Sequence, residues 1–135
     1  MADVLEKLLA EARKRKPFEV AVPVAVGDVA VEVVVRQLMP APGWRELVAE
    51  HPPRDGVRRD VNVGFDAEGV AEVYPVAALS VDGESVSSES WSELWGVLDS
   101  VGREDLAVAV WAVNERMPQV RLEELVRQRE QDSEG

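Results

Sequence analysis

The chain holds one histidine, no cysteine and no threonine, so few side chains could start a nucleophilic reaction. The histidine, His51, stands in the stretch LVAEHPPRDG between a glutamate and two prolines. The usual nucleophile–base pairs then reduce to a serine activated by His51. No serine lies in a Gly-x-Ser-x-Gly elbow, the turn that would expose its hydroxyl to a base. Without cysteine, disulfides, zinc thiolate sites and thiol nucleophiles are excluded. Glu123, Glu124, Glu130 and Asp132 are acidic, but they fall where a solvated helix face or tail is expected. Gly64, Gly69 and Gly83 are isolated, so no glycine-rich loop cradles a phosphate. The expectation is a protein with no catalytic residue, no metal ligands and no cofactor.

The segment around His51 reads instead as a shaping element. Pro52 turns His51 away from the α region, and Pro53 does the same to Pro52. A short helix must therefore stop near Glu50, the chain leaves it extended, and Asp55-Gly56 turns it.

The elements that would hold this segment follow from periodicity. Val4, Leu5, Leu8, Leu9 and Ala12 recur at helical spacing and predict an amphipathic helix over 3–14, with Asp3 capping its start. Arg13 to Lys16 suit its C-terminal dipole, and Pro17 ends it. Two valine-rich runs, 18–26 and 29–38, flank Gly27-Asp28 and predict an antiparallel hairpin. Pro23 places the first strand at an edge, which could accept a strand from another chain. Further helices are expected over 43–50, just after Pro75 through Leu79, over 88–100 with Ser87 as cap, over 103–116 ended by Pro118, and over 120–128. The residues PPRDGVRRD read as a loop, the residues around 67–73 carry a weak pattern, and 129–135 form a polar, fraying tail.

Length and composition bound the whole. A chain of 135 residues with 46% apolar content makes one self-sufficient domain. The fold class expected is α+β: a mainly helical single domain with an N-terminal helix (1–16), a β-hairpin (17–38), a helical region (43–128) and the tail. Fifteen basic against 26 acidic residues give a net charge of −11, which argues against nucleic acid and anionic membranes as partners. No apolar run is long enough to span a bilayer, and the charged N-terminus lacks a signal-peptide core.

Four tryptophans invite a search for binding anchors. Trp91 and Trp95 lie on an apolar stripe and belong in the core. Trp111 lies off the stripe of Leu106, Ala109, Val110 and Val113, which favours a partly exposed anchor. Trp44 follows a proline-rich loop and either packs on the core or offers a partner a flat face. With the extended Pro52, Pro53 and Arg54, Trp44 and Trp111 are the candidate partner-binding residues.

Taken in order, VVVRQL, WRELVAEHPPRDG, VGFD, YPVAALSV and the long segment from VSSESWSELW to WAVNE resemble the tail assembly chaperones of long-tailed, siphovirus-type actinobacteriophages. The matching positions run from Leu38 through Trp44, Leu47, His51, Pro52, Pro53, Gly64, Phe65, Pro75, Leu79, Trp91, Leu94, Leu98 and Leu106 to Asn114, with Ala109 or Ala112 between the last two. The likeness spans residues 29–114. Asp66, the following AEGVAEV and Tyr74 depart from the family pattern. The resemblance implies a non-enzymatic protein that binds and solubilises the tape measure protein and helps recruit tail tube subunits. It implies action in the host cytoplasm, absence from the mature virion, and a longer frameshifted form of which this chain is the short version. A homo-oligomer is compatible with it. The contrasting expectation is a structural virion protein, such as a tail-terminator or head–tail connector component.

Overall fold

The computed structural model describes residues 2–134. The chain runs through α1 (Ala2–Lys14), β1 (Glu19–Val26), β2 (Val29–Arg36), α2 (Ala41–Ala49), α3 (Arg58–Val63) and α4 (Ala67–Glu72). A 3-10 turn (Val76–Ala78) leads into β3 (Leu79–Val81). Then come α5 (Ser88–Val97), α6 (Ser100–Trp111), a π-turn (Ala112–Arg116) and α7 (Met117–Glu134). This is an α+β fold, mainly helical, with the hairpin near its N-terminus.

The sheet has order β1-β2-β3 and is antiparallel throughout. In β1 the sequence EVAVPVAV alternates strictly, and so does burial: Val22 and Val24 face inward while Ala21, Pro23 and Ala25 face water. Across the hairpin, Val33 and Val35 of β2 complete the inner face. Gly27 has φ +59 at the first position of the two-residue turn, as a type II′ hairpin turn requires. The bond from Gln37 N–H to Phe18 C=O fixes which pairs exchange hydrogen bonds, namely Val20 with Val35, Val22 with Val33 and Val24 with Val31. Residues 19, 21, 23 and 25 therefore aim their backbone groups at the free edge. Pro23, lacking an N–H, removes a donor from the middle of that row.

The inner face of the sheet packs against α6, whose Leu106, Ala109 and Val110 are buried with Val113 of the π-turn. Helix α4 also packs against α6 and buries Ala67, Val70 and Ala71. Phe65 is fully enclosed, with Trp44 edge-on to it at 5.3 Å between ring centres. Trp91 and Trp95 are buried as expected, and the Trp91 indole N–H donates to the Ala71 carbonyl at 3.2 Å. Asn114 ties the π-turn to the hairpin: its Oδ1 accepts from Leu38 N–H at 2.9 Å, and its Nδ2 donates to the Tyr74 hydroxyl at 2.9 Å. The Tyr74 hydroxyl in turn donates to the Arg36 carbonyl.

Several boundaries differ from the sequence expectations. Residues read as loop form α3, closed by Gly64 in the left-handed region at φ +89, and α4 is a genuine helix capped by Asp66. Leu79 opens a third strand inside the region expected to be wholly helical. The first of the paired helices stops at Val97, because Leu98 turns extended and Asp99 caps a new helix by accepting from Gly102 N–H at 2.9 Å. Helix α1 begins at Ala2, so Asp3 sits inside its first turn. Pro118 does not end the helix before it. The π-turn reaches from Met117 N–H to Ala112 C=O, five residues back, and this wider turn absorbs the proline before α7 continues to Glu134. The expected polar tail is thus helical up to that residue.

Candidate functional site

The segment from His51 to Glu68 is held by an ion pair between a half-exposed arginine and a buried aspartate that the sequence reading missed. Helix α2 ends as the prolines demand. His51 closes it twice, its backbone N–H donating to Val48 C=O at 3.0 Å and its ring Nδ1–H to Leu47 C=O at 2.9 Å. The latter bond requires the proton on Nδ1. The chain then passes through exposed Pro52 and Pro53 to Arg54. The guanidinium of Arg54 grips Asp60, which is completely buried, through Nε at 2.7 Å and Nη2 at 3.2 Å. Asp60 also accepts from the backbone N–H groups of Arg54 at 3.0 Å and Ala67 at 3.2 Å. Arg54 reaches Asp66 at 3.0 Å and Glu68 at 3.3 Å as well.

Four donors on one carboxylate explain its electrostatics. Burial by itself pushes the Asp60 carboxyl upward; the Arg54 hydrogen bonds, the Ala67 amide and the guanidinium charge outweigh that and hold it below the usual carboxylate range. Arg54 is shifted the opposite way, above its ordinary value, first by its bond to Asp60. One loop, one short helix and the N-terminus of α4 are thus tied to a single point. Arg54 serves this internal network while its side chain stays 42% exposed. His51 likewise has a structural role as the closing residue of α2.

Of the two expectations for Trp44, packing on the core is the one the structure shows. It is buried in the core, and its indole N–H donates to Glu115 at 3.1 Å. Pro52 and Pro53 do face solvent. Trp111 is half-buried and lines a groove between α3 and α6. The groove has a volume of about 430 Å³; Ala67 and Ala107 form its floor, Val63, Val108 and Trp111 its walls, and Arg58, Arg59 and Asn62 its rim. The sequence reading could not assemble it, because α3 looked like a loop. The αL glycine at the end of RRDVNVG was the available signal.

Further apolar side chains are uncovered on the first and last helices. On α1, Val4, Leu5 and Leu8 are each about 60% exposed and Leu9 is 45% exposed. On α7, Leu122, Leu125 and Val126 are 44–55% exposed. The first helix was expected to be amphipathic, and both helices keep these apolar side chains in water. The charged ends of the two helices meet where Lys14 and Arg15 of the α1 end, Phe18, and Arg121 and Leu125 of α7 line a shallow cleft.

Among the described residues, no group of three His, Cys, Asp or Glu side chains is placed to hold a metal ion. No helix among them is long and apolar enough to cross a membrane. No protein-family model, curated protein or solved structure matches the chain.

Proposed function

We propose that this protein is a tail assembly chaperone of a long-tailed actinobacteriophage, which binds and solubilises the tape measure protein and helps recruit tail tube subunits during tail morphogenesis. The observation that carries this reading is the pair of uncovered apolar stripes on α1 and α7. Seven large aliphatic side chains kept in water are unfavourable at roughly 25 cal/mol per Å² of apolar surface. They become favourable when another amphipathic helix lies along them. The core of the fold is complete without either stripe, so the domain can hold them out to a partner while remaining folded.

The net charge of −11 suits the same task, since mutual repulsion keeps a complex of greasy helices dispersed. The mechanism is binding alone: apolar faces are covered and no bond is made or broken. The protein acts in the host cytoplasm and leaves before the virion is complete. The ordered motif resemblance over residues 29–114 supplies the specific partner.

Co-expression with the neighbouring long coiled-coil gene product tests the reading. The partner is expected in the soluble fraction with the native chain and in the pellet with a Leu5→Asp/Leu8→Asp variant. Equal insolubility of the partner with and without the native chain would refute the proposal. So would recovery of this protein in stoichiometric amounts from purified particles, which is the behaviour of a structural virion protein.

A further inference from the structure

A second surface, separate from α1 and α7, carries its own ligand chemistry. From the groove under Trp111 we infer that α3 and α6 form a docking site for an amphipathic helix of a partner protein, one that bears apolar side chains one turn apart with carboxylates beside them.

The shape selects the kind of occupant. All eight lining residues belong to helices, α3, α4 and α6, and none to a strand. The groove therefore offers no free strand edge, and an extended segment could not pair with it. Only one aromatic ring lines it, which is too few for the stacked aromatic slots that hold polyproline helices. The alanine floor between α3 and α6 instead leaves a shallow apolar trough in which the side chains of an amphipathic helix can seat. Ala67 and Ala107 are each 1% exposed and set the depth, while Val108, 40% exposed, and half-buried Val63 and Trp111 give apolar walls.

The rim selects the charge. On a chain that is strongly acidic overall, this trough is bordered by consecutive arginines. Arg59 is tied to Glu104 of α6 and bridges the two helices. Arg58 is exposed and forms no ion pair among the described residues. A helix entering the trough with glutamate or aspartate next to its apolar anchors meets Arg58 directly. One flanked by lysine meets a like charge. Rim charges of this kind act on selectivity more than on total affinity. This inference stands whatever polypeptide α1 and α7 hold.

The test uses the full chain and two fluorescein-labelled helical peptides of roughly 18 residues, long enough to form a helix. Both carry leucine at helical spacing; one has glutamate flanks and the other lysine flanks. Fluorescence anisotropy is expected to show the glutamate peptide binding more tightly. Val108→Asp should weaken it by about tenfold or more, as loss of a central contact does. Arg58→Glu should weaken it by about fivefold and improve the lysine peptide. Both substitutions fall at exposed positions, so circular dichroism should show the fold intact. A Leu5→Asp/Leu8→Asp variant should bind the peptide as the native chain does, which separates this site from the α1 stripe. Equal binding of the two peptides, or binding unmoved by Val108→Asp, overturns the inference. So does light scattering that shows the chain self-associating until Val108→Asp dissolves the oligomer, because the occupant would then be a second copy.

Discussion

Removing the side chain of Arg54 isolates the most heavily partnered charge in the molecule. Arg54→Ala deletes two of the four donors to Asp60, those at 2.7 and 3.2 Å, and leaves the backbone N–H groups of residue 54 and Ala67. Stripping a partner from a fully buried charge costs about 3–5 kcal/mol. Two surviving amides and the 42% exposure of the Arg54 side chain, which lets water approach, reduce the expected loss to about 2–3 kcal/mol. A typical domain is stable by about 5–15 kcal/mol, so the variant should fold with a clearly lower urea midpoint. Arg54→Lys should fall between, because an ammonium cannot copy the two-pronged grip.

The pH dependence checks the cause. Asp60 is held below its ordinary 3.8 in the native chain, so its contribution is present above that value and is lost as pH falls through the lower folded one. In Arg54→Ala, burial acts with less opposition, and Asp60 takes up its proton at higher pH than in the native chain. The stability gap between the two chains should therefore be widest near neutrality and narrow towards pH 3. A gap below about 0.5 kcal/mol at pH 7, or one that does not change on acidification, would refute the electrostatic account of this node.

Tyr74 is the only tyrosine, so its ionisation can be followed by ultraviolet absorbance alone. Burial pushes it up to about 12, with the Asn114 hydrogen bond pulling weakly the other way, so the midpoint should lie well above 10 and Asn114→Ala should raise it further. By the same linkage, the contribution of Tyr74 to stability should be level below pH 10 and fall between 10 and 12, a slope that Tyr74→Phe removes. Gly69→Ala should cost about 1–2 kcal/mol in thermal unfolding, because a Cβ there would stand 2.5 Å from Oδ2 of Asp66, the cap of α4 and a partner of Arg54. Leu5→Asp with Leu8→Asp should shift stability by less than about 0.5 kcal/mol per site, since each leucine is at least 60% exposed.

The hairpin, the amphipathic first helix and the buried Trp91–Trp95 pair were legible because each follows from a repeating period. The strict alternation of β1 marks an inner and an outer face in the sequence itself. What could not be read depended on partners far along the chain. Residues 58–63 are mostly polar or charged and gain their helix from the grip of Arg54 on Asp60 and from Gly64, neither of which a hydrophobic period reveals. Strand β3 is three residues long, too short for any pattern, and exists because Glu32 C=O accepts from Asp82 N–H at 2.8 Å and Glu32 N–H donates to Asp82 Oδ1 at 2.8 Å. Pro118 was misread for a specific reason: its usual veto assumes a regular α-ladder, and the π-turn had already widened that ladder. Trp44 and Arg54 each follow a proline-rich stretch, which says nothing of what they touch inside the chain. Their actual partners, Glu115 and Asp60, could be found only in three dimensions.

Pro23 has a consequence beyond its own strand. A second molecule seeking to extend the sheet across β1 would find amides at Glu19, Ala21 and Ala25, but a gap between the latter two where the proline ring stands. Zippering copies edge to edge would then leave an incoming carbonyl dry and unanswered at mid-strand. A protein that displays oily helices at one end thus carries, on its sheet, a built-in brake against stacking into fibres.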